Sequence, residues 1–159
     1  MQFYEDIAVG QKSAFGHYEV TREEVIDFAR KYDPQPFHLD DEAAAKTHFG
    51  RISASGWHTC AMTMSMLVAN LTANKQAGLG SPGVDELRWK KPVYPGDTLT
   101  AISDVIGVKE NSNGKTGVVW VRTRGENQRG ETVLSYVRWV MVRKRDAEAE
   151  VAEQAVPTL

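Results

Sequence analysis

The chain has 159 residues, the length of one ordinary domain. Hydrophobic residues make up 42% and charged residues 25% of the sequence, which excludes a disordered, collagen-like or coiled-coil protein. The formal net charge is −2, so no overall basic field favours nucleic acid as the main partner.

The compartment is indicated by cysteine usage and by the absence of long apolar runs. The single cysteine, Cys60, cannot form an internal disulfide, which favours a reducing compartment. Residues 1–10 lack the apolar run of a secretion signal. No segment approaches the roughly 18 apolar residues that a membrane span needs. We therefore expect a cytoplasmic protein with no membrane segment.

The first elements in chain order are a strand and a helix. Residues 10–20 have strand character and lead into Thr21 and Glu24, which have the spacing of a capping box at a helix N-terminus. An apolar stripe with helical spacing follows, formed by Val25, Phe28, Ala29 and Tyr32. Pro34 ends this helix, because the residue before a proline is disfavoured in the α region.

A short helix is predicted after Asp40, which can cap it, and the most apolar segment of the chain comes next. Residues 56–73 are rich in helix formers and predict a helix about 27 Å long. Apolar residues occur on all its sides, so we expect it to be buried all round.

The second half of the chain is dominated by strands. Four runs rich in β-branched and aromatic residues are separated by short loops with turn residues, at 84–91, 97–109, 116–126 and 131–144. Short loops leave no room for crossover helices, so the strands must be mostly antiparallel. The sequence therefore predicts an α+β fold, in which a five- or six-stranded sheet wraps one long helix. Residues 146–159 are Ala/Glu-rich and are predicted to form a frayed tail.

The first candidate site is the loop between the first two helices, where two prolines stiffen the backbone around Asp33 and His38. A carboxylate and an imidazole held on one rigid loop are suited to acid–base chemistry near neutral pH. The alternative is that Asp33 is an ordinary turn residue and His38 an ordinary hydrogen-bonded histidine.

The second candidate site is the start of the long helix, at Ser55 and Gly56. The first N–H groups of a helix have no partner within it, and a glycine there allows a ligand to approach closely. Such a position stabilises a phosphate or a developing oxyanion. The alternative is that Ser55 serves only as an N-cap.

Three segments together resemble the MaoC-like dehydratases, the family of the (R)-specific enoyl-CoA hydratases. Residues 33–38 read D-P-Q-P-F-H and are similar to the family signature D-x-N-P-x-H. Residues 55–58 read S-G-W-H, where the family has an H-G-M-type turn into its central helix. Residues 87–99 are similar to the family strand and turn L-R-F…P-V-x-P-G-D-T-L. The order and spacing of the three blocks match over residues 5–143.

The resemblance implies a single hot-dog domain over residues 1–145 and a hydratase or dehydratase activity on an enoyl thioester. It assigns water activation to Asp33 and His38, and binding of the thioester oxygen to the Gly56 N–H. Ser55 and Gln35 join Gly56 as the expected substrate-binding residues. Gln35 replaces the asparagine of the family signature, which favours an unusual acyl substrate.

The partners expected from the resemblance are an acyl-CoA substrate and further copies of the chain, as a homodimer or a higher homo-oligomer. Coenzyme A would enter only as part of the substrate, with no other cofactor. No metal is expected, because the four histidines lack the spacing of zinc ligands. Two other functions remain open on the same scaffold: a thioesterase, and a non-catalytic acyl-CoA-binding or assembly subunit, which the Gln35 replacement keeps possible.

Overall fold

The computed structural model describes residues 1–147, which contain three α-helices and five β-strands. The helices are α1 (Arg22–Tyr32), α2 (Asp41–Ala45) and α3 (Gly56–Ala73). The strands are β1 (Lys12–Glu19), β2 (Val84–Trp89), β3 (Thr98–Glu110), β4 (Thr116–Glu126) and β5 (Thr132–Arg143). The predicted tail lies outside the described residues from residue 148 onward.

All five strands form one antiparallel sheet in the order β1-β3-β4-β5-β2. The short loops after β3 and β4 make β3, β4 and β5 a continuous meander, as their turn residues predict. β1 and β2 therefore occupy the two edges of the sheet. The predicted α+β class is confirmed, with five strands.

Helix α3 packs against the inner face of the sheet, and only part of its surface is covered. Its buried residues include Met62 and Leu67. In contrast, Trp57, Met64 and Val68 are 56%, 43% and 51% exposed on its other side. The expectation that this helix is buried all round is wrong for the single chain, because the sheet curls around one side only.

A partly buried polar cluster joins β1, α1 and α3 at the N-terminal end of α3. The Glu24 carboxylate accepts a hydrogen bond from the Tyr18 hydroxyl and lies 3.0 Å from Nε2 of His58, whose ring stacks on Phe28. The predicted capping box is half formed, since Thr21 Oγ1 accepts from the Glu24 N–H while the Glu24 side chain turns towards His58. The cluster fixes α1 against α3, and so fixes the loop that follows α1.

Strand β2 is irregular and has an open side. Glu86 has a φ of +53°, and the register with β5 shifts between Asp85 and Arg88, which is a bulge. Within residues 1–147 no strand pairs with the outer edge of β2. Its backbone N–H and C=O groups on that side are available to another chain.

None of the helices in the described part of the chain is long and apolar enough to cross a membrane.

The polar cluster predicts a stability change that the sequence pattern alone does not. Replacing Glu24 with Ala leaves the buried His58 ring without its carboxylate partner and is expected to lower the free energy of unfolding by about 1–3 kcal/mol. Urea denaturation measures this change. The matched control is Glu23→Ala, an exposed neighbour on the same helix. Equal stability of the two variants would contradict the role of the cluster.

Candidate active site

The loop after α1 is held by consecutive local hydrogen bonds. The Asp33 N–H donates to the Ala29 carbonyl at the end of α1, and the Gln35 N–H donates to the Asp33 carbonyl at 2.8 Å. Pro36–His38 then forms one turn of 3₁₀ helix, whose fixed proline φ suits its first position. The chain therefore turns tightly and places the Asp33 and His38 side chains on the same side.

The Asp33 carboxylate connects this loop to the start of α3 through hydrogen bonds. Its Oδ2 accepts a hydrogen bond from Ser55 Oγ at 2.7 Å, and its Oδ1 accepts one from Gln35 Nε2 at 2.7 Å. Nε2 of His38 lies 3.4 Å from Oδ2. The side chain is only 18% exposed. A carboxylate has about four lone-pair positions, so each oxygen can still accept from a further donor.

Asp33 is an anion at neutral pH. Its partial burial alone would raise the pKa, but the hydrogen bonds from Ser55 and Gln35 and the neighbouring His38 outweigh burial and lower the pKa of Asp33 below its usual value. The group is therefore suited to accept a proton or to orient a donor. It is unsuited to act first as an acid.

The His38 ring is buried and has one defined tautomer when neutral. Nδ1 lies 2.6 Å from the Ser53 carbonyl oxygen, which can only accept, so Nδ1 carries the proton. Nε2, on the side facing Asp33, then carries no proton and has a free lone pair that can accept one. The ring is also packed edge-on against Phe37, which holds its orientation.

The start of α3 lies next to this pair. Ser55 is the N-cap, and its Oγ accepts from the Trp57 N–H while it donates to Asp33. Gly56 is the first residue of the helix, so its N–H has no acceptor within the helix. The Trp89 indole lies over Gly56 so closely that a Cβ atom there would be 2.5 Å from the Trp89 Cε2 atom.

One cavity of about 660 Å³ unites the two candidate sites. Asp33, Gln35, His38 and Gly56 all line it. Ser55 does not line it and is fully buried behind them, so it contacts the site only through Asp33 and the helix cap. Aromatic and basic residues that the sequence did not single out complete the wall, among them His48, Phe49, Trp57, Trp89, Lys90 and Lys91.

Trp89 could have been found from the sequence, because it belongs to the segment that resembles the family strand. The sequence does not show that Trp89 lies over Gly56, because this depends on where the end of β2 meets the start of α3. No group of three His, Cys, Asp or Glu side chains in residues 1–147 is placed to hold a metal ion.

Comparison with known families gives the class of the protein. The MaoC-like domain model matches residues 6–127, and the chain therefore belongs to that family. A solved MaoC-like dehydratase from Rhodospirillum rubrum superposes with a TM-score of 0.82 at 36% identity, covering 91% of this chain and 99% of that one. The hot-dog fold implied by the resemblance is thereby confirmed.

Named relatives show which activities similar chains carry. The chain is 63% identical over 92 residues to a mesaconyl-CoA hydratase of Cereibacter sphaeroides, and 51% identical over 92 residues to a β-methylmalyl-CoA dehydratase of Chloroflexus aurantiacus. Each match covers 58% of this chain but only 26% and 25% of those relatives. An (R)-specific enoyl-CoA hydratase of Aeromonas caviae is 30% identical over 122 residues, which cover 76% of this chain and 87% of that protein.

The hydrogen bond from Ser55 predicts a shift in the titration of Asp33. Removing it with Ser55→Ala is expected to raise the pKa of Asp33, because a donor that stabilises the carboxylate is lost. Stability that depends on ionised Asp33 would then be lost at a higher pH as the solution is acidified. Carboxyl-carbon NMR over a pH series measures the shift. In the control, Ser53→Ala, another buried serine hydroxyl is removed and the carbonyl contact to His38 is kept, so the Asp33 titration should not move.

The close contact at Gly56 predicts a steric effect of a single methyl group. Gly56→Ala is expected to displace the Trp89 indole, changing tryptophan fluorescence and lowering the free energy of unfolding by about 1–3 kcal/mol. The cost should disappear when the substitution is made in a Trp89→Ala background. Gly83→Ala is the control, since no atom lies within 4 Å of its added Cβ. A full cost in both backgrounds would mean that the indole is not the obstacle.

Proposed function

We propose that the chain is a hydro-lyase that interconverts a trans-2-enoyl thioester and a 3-hydroxyacyl thioester carried on coenzyme A. The observation that carries this proposal is that Asp33, His38 and Gly56, the first residue of α3, all line one cavity. An acid–base pair and an oxyanion donor in one cavity are what addition of water to a conjugated thioester requires. Membership of the MaoC-like family and the names of three relatives support it.

The proposed reaction begins with a water held between the Asp33 carboxylate and Nε2 of His38. One proton of the water passes to this pair as the oxygen forms a bond to C3 of the enoyl group. The electrons of the double bond move onto the thioester oxygen, where the Gly56 N–H donates a hydrogen bond to the enolate. The proton is then delivered to C2, which balances the addition. Coenzyme A is present as part of the substrate, and no other cofactor takes part.

Gln35 fits this role although it replaces the asparagine of the family signature. Its amide already donates to Oδ1 of Asp33 at 2.7 Å. The extra methylene therefore still leaves a donor on the carboxylate. Ser55 holds the other oxygen, so the two residues together fix the plane of the carboxylate, and we propose that both are positioning residues.

We further propose that the chain works as a homodimer or a larger homo-oligomer. The unpaired edge of β2 and the exposed apolar side chains on α3, Trp57, Met64 and Val68, support this. The three α3 side chains lie on the side of the helix that the sheet leaves open.

The hydro-lyase proposal predicts the effect of neutralising Asp33. Asp33→Asn keeps the shape of the side chain but removes its basicity, and we expect hydration of crotonyl-CoA to fall by a factor of about 10²–10⁴. The loss of absorbance of the conjugated enoyl thioester measures the rate. Asp27→Asn, an exposed carboxylate on α1 paired with Lys31, is the control.

Unchanged hydration in Asp33→Asn with a folded protein would overturn the assignment of this residue. Release of free thiol from butyryl-CoA, a saturated thioester, would instead identify a thioesterase. Binding of acyl-CoA by calorimetry with neither reaction would identify the non-catalytic subunit.

A further inference from the structure

Arg138 is a buried cation that the proposed chemistry does not use. It lies on β5, where its register partners are Val121 on β4 and Val84 on β2, and it is only 7% exposed. Its Nε atom is buried without a hydrogen-bond partner. Within residues 1–147 the guanidinium forms no hydrogen bond and no ion pair.

The charge of Arg138 is uncompensated. The titratable group that acts on it is the Tyr136 phenol, whose own burial raises its pKa, so that it stays neutral at pH 7. A guanidinium remains protonated in proteins even where burial lowers its pKa, as it does here. A buried charge without a partner is strongly unfavourable. An anion bound beside Arg138 would offset that cost.

The space around Arg138 indicates what kind of anion fits. Two cavities of about 530 Å³ and 430 Å³ meet at this side chain, between the C-terminal half of α3 and the sheet. Both are also lined by Leu67, Leu71 and Val140. Cations line them as well, Arg138 in both cavities, Lys12 in the first and Lys75 in the second. Apolar side chains beside cations suit a short hydrocarbon group that ends in a carboxylate.

Within one chain, Arg138 is too far from the Asp33 cavity to bind a carboxylate on a short acyl group held there. Leu67, which lines the Arg138 cavities, follows Gly56 by 11 residues of α3. That separation is about 16 Å along the helix axis. A thioester held at Gly56 would need a chain of more than ten carbons to cover this distance.

A second copy removes this difficulty. Two identical edge strands that pair about a two-fold axis must run antiparallel, which for β2 brings the Trp89 end of one copy beside the Val84 end of the other. Trp89 lies over Gly56, and Val84 is the register partner of Arg138. Pairing of the β2 edges therefore carries Arg138 of one copy towards the Asp33 cavity of the other.

We infer that Arg138 is a specificity-determining residue: its guanidinium binds a free carboxylate on the acyl group that Asp33 and His38 of a second copy act upon. The inference rests on the proposed hydro-lyase function and narrows its substrate class to CoA half-thioesters of short unsaturated dicarboxylic acids. A mesaconyl group is of this kind, since its thioester retains one carboxylate.

The first experiment compares two substrates that differ in this charge. We expect the ratio of kcat/KM for mesaconyl-CoA to kcat/KM for crotonyl-CoA to fall about 100-fold in Arg138→Gln. Arg138→Lys, which keeps the charge, should recover part of the ratio. Arg143→Gln, an exposed arginine at the end of the same strand, is the matched control and should keep the wild-type ratio. An unchanged ratio in folded Arg138→Gln would overturn the inference.

The second experiment tests whether Arg138 acts across copies. Asp33→Asn and Arg138→Gln chains are co-expressed with different tags and the mixed species is purified. In a mixed dimer one site combines an intact Asp33 from one chain with an intact Arg138 from the other, so we expect hydration of mesaconyl-CoA to recover to about half the wild-type rate. Activity no higher than the mean of the two parent variants would show that Arg138 does not act across copies.

Failure of this inference is distinguishable from failure of the proposed function. Wild-type hydration of crotonyl-CoA with no preference for mesaconyl-CoA rejects the role of Arg138 and leaves the hydro-lyase standing. Hydration of neither substrate rejects the hydro-lyase. In that case calorimetry still tests the carboxylate site at Arg138. Mesaconyl-CoA is titrated into the wild-type protein and into Arg138→Gln, and equal affinities overturn the inference. If Arg138→Gln does not fold, Arg138→Met, which fills a similar volume, takes its place.

Discussion

The hydrogen bond from Ser55 to Asp33 is the contact on which the geometry of the candidate site depends. Ser55 belongs to the cap of α3, while Asp33 belongs to the loop after α1, and 22 positions of chain separate them. The same hydroxyl accepts from the Trp57 N–H, so the helix start and the carboxylate share one anchor. The polar cluster of Tyr18, Glu24 and His58 supports this anchor by packing α1 against α3.

Much of this arrangement could be predicted because local signals agreed with one another. Caps, prolines and apolar runs placed α3 at residues 56–73, which are its observed bounds. The alternation of strands and turns gave an antiparallel sheet for the same reason: the loops were too short for any other connection. Stiff backbone and free N–H groups make Asp33, His38 and Gly56 candidates, and the family resemblance gives them their roles. The structure places all three on one cavity.

The remaining features depend on contacts between distant parts of the chain, which local patterns do not record. The tautomer of His38 is set by a carbonyl 15 positions away, and Trp89 covers Gly56 because the end of β2 lies next to the start of α3. Arg138 was missed because β5 is apolar on both faces, so its alternation does not reveal which side chains point inward. A register shift beside Gly125 further separates the strand pattern from the observed facing.

The fixed orientation of the His38 ring has a stereochemical consequence. Because Nδ1 is bound to the Ser53 carbonyl and Nε2 faces Asp33, the ring can exchange protons with the cavity from one direction only. In the proposed reaction the hydroxyl oxygen and the proton would both come from the water beside this pair. Both groups would therefore add to the same face of the double bond, the face that the bound substrate turns towards this pair.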